Sequence, residues 1–289
     1  MCDEYFEEDM KKFLRQQGMT RRQFSAMSAA AAASVLLPAG ASAQMVNGSD
    51  VMIETADGTC DAYFVHPNSG AHAGVLIWPD AMGLRTAFKQ MADRLAASGY
   101  AVLAVNPYYR SAPAPVVPDG SAFGEVRGVL GPLMGSLNAD THVADARAFV
   151  GWMDQQSAVD TSRKVGTMGY CMGGPITMRT AAALLDRIGA GASFHGGGLT
   201  TDADDSPHLL IPEMDAEYLV AIAANDDERD PQSKDILRAA FDAAGKSAVV
   251  EVFEGTMHGW CPTDSAVYHH DQAEHAWSHL LTIFARALA

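Results

Sequence analysis

Residues 165–174 read Val165-Gly166-Thr167-Met168-Gly169-Tyr170-Cys171-Met172-Gly173-Gly174. A short apolar strand runs here into the pattern G-x-C-x-G-G and then into a helix. A sharp strand-to-helix turn of this kind presents a nucleophile on strained backbone, and glycines two residues before and after it leave room for the turn. Cys171 can also have a purely structural role, because a buried cysteine commonly packs as a small hydrophobic residue. The stretch therefore predicts either a nucleophilic Cys171 or a packed junction.

Short apolar runs alternate with helical patterns from Gly74 onward. This alternation is typical of stacked βαβ units and predicts an α/β fold, a mostly parallel sheet with helices on both faces. The predicted strands are 74–78, 101–105, 165–168, 192–194, 218–223 and 248–253, and the predicted helices are 85–98, 139–156, 173–187, 231–244 and 266–287. A β-hairpin over residues 50–66, with its turn at Asp57-Gly58, is predicted to precede them. Residues 111–138 are expected either to cross the top of the sheet, where such sheets bind ligands, or to form a passive surface loop.

Polar clusters follow two later strands of the predicted sheet. Asn225-Asp226-Asp227 follows strand 218–223, and Met257-His258-Gly259 follows strand 248–253 after a short turn. α/β-Hydrolases place their triad in the chain order nucleophile, acid, histidine, with the acid and the base on loops after later strands. The order is kept here, so the sequence predicts an α/β-hydrolase fold. Spacing leaves both Asp226 and Asp227 open as the acid, and either can instead cap the helix that begins near Pro231.

A cysteine nucleophile needs help to react at neutral pH. A free thiol has a pKa of about 8.5, and a nearby histidine together with a helix N-terminus favours the thiolate, which is the attacking form. His258 is expected to accept the thiol proton and return it to the leaving group, while the aspartate orients the imidazole. The backbone N–H groups of Met172 and Ala81 are expected to form the oxyanion hole, because they follow the nucleophile and the first parallel strand.

Together these motifs resemble the dienelactone hydrolase family. The resemblance covers nearly all of the chain from Gln44 onward and rests on the G-Y-C-x-G-G turn, Pro79-Asp80-Ala81-Met82-Gly83, Asn106-Pro107-Tyr108-Tyr109-Arg110, Asp226-Asp227 and Met257-His258-Gly259. It implies hydrolysis of a dienelactone ring or a similar small ester, without a metal or an organic cofactor. The family's triad aspartate usually stands four residues before a proline, as Asp227 does before Pro231. The resemblance therefore implies a triad of Cys171, Asp227 and His258.

The chain departs from the family pattern at two positions. Where the best-known members carry a glutamate that pairs with the resting thiol, this chain has Asp80, which is one methylene shorter. Those members bind the substrate carboxylate with two arginines, and Arg110 matches the first of them, whereas Pro262 stands at the second position. The resemblance thus assigns Asp80 and Arg110 to substrate binding, with Arg110 holding one carboxylate by a bidentate pair or serving as a surface charge.

Further residues are expected near the same site. His195 follows a predicted strand and is expected either to face the substrate or to be a hydrogen-bonded loop histidine. Trp260, two residues after His258, is expected to wall the pocket. The pattern Asp271, His275, His279 would place three candidate metal ligands on one helix face. A solvated polar face is the favoured interpretation, and no metal site is predicted.

Charge and cysteine content exclude several classes of function. The 289 residues carry 20 Lys and Arg against 35 Asp and Glu, for a net charge of −15. This balance argues against binding to nucleic acid or to anionic lipid, since both need clustered basic residues. The four cysteines lack zinc-type C-x-x-C spacing. Cys60 and Cys261 are expected either to pair, if the protein is exported, or to remain free thiols.

The first segment of the chain resembles an export signal rather than part of the fold. Arg21-Arg22 precedes an uncharged run from Ser25 to Ala43 that ends in Ala41-Ser42-Ala43. This order predicts a cleavable export signal of the twin-arginine type over residues 1–43, an α/β-hydrolase domain over 44–289 and a periplasmic location, without stable membrane association after cleavage. The alternatives are an alanine-rich helix packed on the core or a membrane anchor.

The sequence thus predicts an enzyme that hydrolyses a small-molecule ester or lactone through a cysteine acyl-enzyme. A thioesterase or acyltransferase would use the same triad on another acyl donor. A binding protein that kept the fold and lost the chemistry is the alternative from another class.

Overall fold

The computed structural model describes residues 8–9, 11–12 and 44–289. The predicted export signal therefore lies, apart from those four residues, outside the described part of the chain. The described strands are β1 Val46–Thr55, β2 Gly58–Pro67, β3 Gly74–Trp78, β4 Ala101–Val105, β5 Val165–Tyr170, β6 Ile188–Phe194, β7 Glu217–Ala223 and β8 Ala248–Phe253. The helices that follow residue 44 are α1 Thr86–Ala97, α2 Phe123–Gly135, α3 Ala139–Met153, α4 Gly173–Ala183, α5 Ala224–Arg229, α6 Ser233–Ala243 and α7 His270–Ala287, with a 3₁₀ helix at Pro207–Glu213.

The strands form one sheet in the order β1-β2-β4-β3-β5-β6-β7-β8. The β1–β2 hairpin is antiparallel, with Thr55 opposite Gly58, and β2 is antiparallel to β4. Every pairing from β4 through β3 to β8 is parallel. The central strands β3, β4 and β5 are buried along their whole length, as expected for parallel strands with helices on both faces. The α/β-hydrolase fold predicted from the sequence is confirmed.

Successive residues of the central strands belong alternately to two separate hydrophobic cores. On β3, Val75 and Ile77 join the core that includes helices α1 and α7, whereas Leu76 and Trp78 join the core that includes α3, α4 and α6. This alternation follows from the two-residue period of a strand. Cys60 belongs to the second core and Cys261 to the first, and both are free thiols. The two cysteines therefore do not form the disulfide considered from the sequence.

Helices α2 and α5 and residues 188–191 of β6 were not predicted from the sequence. Helix α2 contains Pro132 and three interior glycines, which lower helix propensity. The start of β6 is also rich in glycine, because Gly191 lies under the Tyr218 ring: a Cβ there would approach that ring to 2.1 Å. Of the described helices, none is both long and apolar enough to cross a bilayer.

The buried histidine of helix α3 gives the fold a pH dependence. Burial, followed by the charges of Arg179 and Arg110, lowers the pKa of His142 from 6.5 to about 3. Between these values the unfolded chain binds a proton that the folded chain does not bind, so the free energy of unfolding falls as the pH falls, by about 1.4 kcal/mol per pH unit at most. We expect His142→Leu to weaken this dependence, so that the wild type loses about 2–3 kcal/mol more than the variant between pH 7 and pH 4.5.

Urea unfolding of both proteins at the two pH values measures this difference. His270→Leu, at an exposed position, is the matched control and is expected to keep the wild-type acid sensitivity. Equal acid sensitivity of His142→Leu and the wild type would contradict the assignment to His142.

Candidate active site

The turn between β5 and α4 holds Cys171 in a left-handed backbone conformation, with φ of 51°. A side chain at either flanking glycine would not fit. A Cβ at Gly169 would lie 2.3 Å from the carbonyl oxygen of Gly173, and a Cβ at Gly173 would lie 2.3 Å from that of Trp78. The Cys171 N–H donates to the carbonyl of Phe194 at 3.0 Å, which fixes the turn to the end of β6. The strained strand-to-helix turn expected from the sequence is therefore present.

A cavity of about 120 Å³ opens at the carboxyl ends of the parallel strands. Cys171, His195 and His258 contribute to its wall, together with Ala81 from the loop after β3. Residues 121–123, from the excursion over residues 111–138, also line it. The excursion thus reaches the ligand side of the sheet, as the first of its two interpretations predicts.

The His258 ring contacts Asp226 and not Asp227. His258 Nδ1 lies 2.7 Å from Asp226 Oδ2, while both carboxylate oxygens of Asp227 accept hydrogen bonds from Lys234, at 2.6 and 2.7 Å. The physical reason is the helical turn α5: successive helical residues point about 100° apart, so adjacent aspartates face different partners. The carboxylate that meets His258 in this structure is therefore that of Asp226, whereas the spacing to Pro231 had favoured Asp227.

Asn225, which the sequence did not indicate, positions the histidine backbone. Its side-chain Oδ1 accepts the N–H of His258 at 2.7 Å. Thr256 also links the segments that follow β7 and β8. Its Oγ1 accepts the N–H of Ala224 at 3.2 Å and donates to the carbonyl of Phe253 at 2.7 Å. Asn225 received no role in the sequence analysis because its amide neither titrates nor acts as a nucleophile, although it stands next to Asp226.

The loops that carry the predicted oxyanion donors meet at Tyr108. The buried Tyr108 hydroxyl donates to the carbonyl of Ala81 at 2.9 Å and lies 3.2 Å from Met172 Sδ. Met172 is the N-terminal cap residue of α4, so its N–H belongs to the positive end of that helix. Tyr108 belonged to a motif of the family resemblance, but the sequence gave it no role of its own.

Asp80 is engaged by an arginine that the sequence analysis did not select. Arg85 donates from Nη1 and Nη2 to the two Asp80 oxygens at 2.7 and 3.0 Å, and from Nε and Nη2 to Asp264 at 2.6 and 3.0 Å. Burial acts to lower the pKa of Arg85, but the Asp80 and Asp264 carboxylates outweigh it and raise that pKa. All three side chains line the cavity. Asp80 therefore lies in the cavity wall in an ion pair with Arg85, and its expected role in substrate binding stays a prediction.

The structure also corrects the expected role of Arg110. Its guanidinium donates to Asp145 at 2.7 and 2.8 Å and to Asp57 at 2.6 and 3.0 Å, and it does not line the cavity. Two carboxylates of the protein occupy the donors that were predicted to hold a substrate carboxylate. Arg110 stabilises the junction of the first hairpin with helix α3.

His195 faces the cavity from the end of β6. It is 1% exposed and has a left-handed φ of 41°. Burial, and secondarily the neighbouring His258, lowers the pKa of His195 well below its ordinary value. The two imidazole rings meet edge to face with their centroids 5.0 Å apart. His195 thus lies in the cavity wall, as the first of its two interpretations requires, and its contact with a substrate stays a prediction.

Trp260 lies behind the site instead of walling it. The side chain is fully buried and does not line the cavity. Its ring contacts His195, with centroids 5.2 Å apart, and stacks on Phe253 at 5.4 Å. Trp260 therefore supports the His195 ring, which corrects its predicted place in the pocket wall.

Comparison with known proteins gives the same class of molecule. The model of the dienelactone hydrolase family matches residues 60–288. A Salmonella typhi protein is 24% identical over 78% of this chain and 82% of its own, and one from Methylorubrum extorquens is 24% identical over 95% of this chain and 96% of its own. Both are named "Putative carboxymethylenebutenolidase". A Klebsiella pneumoniae crystal structure named "Putative Dienelactone Hydrolase" superimposes with a TM-score of 0.73 at 21% identity, over 84% of this chain and all of the other.

Fold, cavity and relatives define a carboxylic ester hydrolase of the α/β-hydrolase class. Its turn between β5 and α4 carries cysteine at the position where most members of this class carry serine. Within that class, the chain belongs to the dienelactone hydrolase family.

Proposed function

We propose that this protein hydrolyses a small, uncharged carboxylic ester or lactone through a triad of Cys171, His258 and Asp226 and a cysteine acyl-enzyme. The proposal rests above all on the 2.7 Å contact of His258 Nδ1 with Asp226, in a histidine whose ring shares a cavity wall with Cys171. A carboxylate on Nδ1 directs the other ring nitrogen to proton transfer.

The proposed reaction proceeds in two half-reactions. His258 takes the thiol proton while Cys171 Sγ bonds to the carbonyl carbon, and the N–H groups of Met172 and Ala81 receive the oxyanion. The intermediate collapses, the bond to the leaving oxygen breaks, and His258 returns the proton to that oxygen. Water, deprotonated by His258, then attacks the thioester and releases the acid and the Cys171 thiol.

The charges of the cavity support an uncharged substrate. Arg85 is the one Arg or Lys among the described residues that line the cavity, and Asp80 and Asp264 occupy its donors. One cation and two carboxylates leave a net negative wall, which repels a substrate carboxylate. The volume of about 120 Å³ lies below the range of pockets that hold drug-sized ligands, which favours a small acyl group.

Three substrates test this function. 4-Nitrophenyl butyrate and the 4-nitrophenyl monoester of succinic acid have acyl chains of similar length but differ in charge, and a dienelactone adds the family's ring. We expect turnover of the neutral ester, slower turnover of the two carboxylate-bearing substrates, and an acyl adduct on Cys171 when the neutral reaction is quenched with acid and analysed by mass spectrometry.

Matched cysteine variants complete the experiment. Cys171→Ala is expected to abolish both turnover and the adduct. Cys60→Ala is expected to keep both, because burial raises the pKa of the Cys60 thiol and disfavours its reactive form. Turnover that survives in Cys171→Ala would contradict the triad. Absence of turnover with all three substrates would favour the thioesterase or binding-protein alternative.

A further inference from the structure

Two histidines and a glutamate converge at the β8 edge of the sheet, outside the cavity. His275 and His279 lie one turn apart on α7, with their Nε2 atoms 3.0 Å from each other. Glu251, in the last strand β8, places Oε2 3.4 Å from His279 Nε2. One ligand atom from each of the three residues lies within 4.8 Å of the others. The cluster thus combines two imidazoles from α7 with one carboxylate from β8.

The spacing of these atoms matches that of ligands around a small divalent cation. Zn²⁺ bonds to histidine nitrogen and carboxylate oxygen at about 2.0–2.2 Å in a tetrahedral arrangement. The edge of a tetrahedron is about 1.63 times the distance from its centre to a corner, so neighbouring ligand atoms stand roughly 3.3–3.6 Å apart. The observed separations of 3.0 and 3.4 Å lie near that value. A direct His275–His279 hydrogen bond also fits 3.0 Å, but it does not need Glu251.

We propose that Glu251, His275 and His279 form a binding site for Zn²⁺ or a similar divalent transition metal, with water in the remaining coordination position. Imidazole and carboxylate are donors that these metals accept, and two imidazoles make Mg²⁺ or Ca²⁺ a poor match. The net charge of −15 raises the local concentration of cations around the protein.

The surroundings of the cluster favour a defined site over a chance contact of mobile side chains. The His275 ring packs against Phe253, with centroids 5.3 Å apart, which limits its rotation. All three ligand residues are partly exposed, with side-chain exposures of 33%, 49% and 32% for Glu251, His275 and His279. A cation can therefore reach the site from solvent. Once bound, it would tie α7 to the edge strand β8, so binding is expected to raise the melting temperature.

Calorimetric titration of the full chain with Zn²⁺ tests the site. The Cys171→Ser background keeps the cavity thiol from competing for the metal. We expect one ion per chain with a dissociation constant in the micromolar range and a higher melting temperature. His275→Ala and His279→Ala are each expected to weaken binding by at least about 10-fold, as loss of one of three ligands should. Glu251→Gln is expected to weaken binding in the same direction.

His270→Ala is the matched control, because it removes an exposed histidine of the same helix that lies outside the cluster. It is expected to bind Zn²⁺ as the parent protein does. The proposal is overturned if the parent shows no binding up to a millimolar concentration, or if the His275→Ala/His279→Ala double variant still binds with parental affinity. An equal loss in His270→Ala would show nonspecific histidine binding and would overturn it as well. None of these outcomes depends on the ester hydrolysis proposed above.

Discussion

Asp226→Asn is expected to lower kcat for a neutral aryl ester by about 10³- to 10⁴-fold, the scale seen when the carboxylate of a triad is replaced by an amide. The asparagine can still meet His258 Nδ1, but it carries no negative charge to stabilise the imidazolium that forms during thiol deprotonation. Asp226 does not line the cavity. KM is therefore expected to change little, and the loss should fall almost entirely on kcat. Steady-state kinetics on the purified variant measure both constants.

Asp227→Asn is the matched control for this prediction. It makes the same chemical change one residue away and removes a partly exposed ion pair with Lys234, which costs about 1 kcal/mol of stability at most. Its kcat is expected to stay within about twofold of the wild type, since no step of the proposed reaction involves Lys234. A large loss in Asp227→Asn, with Asp226→Asn remaining active, would reverse the assignment of the acid.

The two aspartates show where prediction from the sequence stops. The alternation of apolar strands with helical patterns was enough to predict the parallel sheet. It also predicted that Cys171 and His258 lie at the same edge of that sheet, because each follows the carboxyl end of a parallel strand. The choice between Asp226 and Asp227 depends on a single helical turn after β7. A one-residue step there rotates a side chain by about 100°, and neither composition nor spacing reports that rotation.

The charge pattern of the cavity wall was also not predictable from the sequence, but for a different reason. Arg85 and Asp264 are 179 positions apart in the chain and meet only through the fold. Arg110, by contrast, stood in a motif shared with the family, and its two carboxylate partners come from the first hairpin and from α3. Local patterns identify which side chains can carry charge. Long-range packing decides which of those charges are already neutralised.

Arg85→Met is expected to reduce the free energy of unfolding by about 3 kcal/mol, near the lower end of the range for breaking a buried ion pair. The Arg85 side chain is 4% exposed, and its removal leaves Asp80 and Asp264, which are 13% and 26% exposed, without their cation. The lower end of the range applies because water reaches Asp264 in part. Denaturant unfolding at neutral pH measures the loss, and the Asp80→Asn/Arg85→Met/Asp264→Asn triple variant is expected to recover most of it.

The same substitution should also lower kcat, because Arg85 joins two loops that the proposed reaction uses. Asp80 precedes Ala81, whose N–H is assigned to the oxyanion, and Asp264 lies on the loop that follows His258. Arg110→Met provides the contrast: it breaks ion pairs with Asp57 and Asp145 away from the cavity, so it is expected to lose stability while keeping kcat. If Arg85→Met keeps full activity, or if both variants lose kcat equally, the ion pairs of Arg85 stabilise the fold without positioning the oxyanion loop.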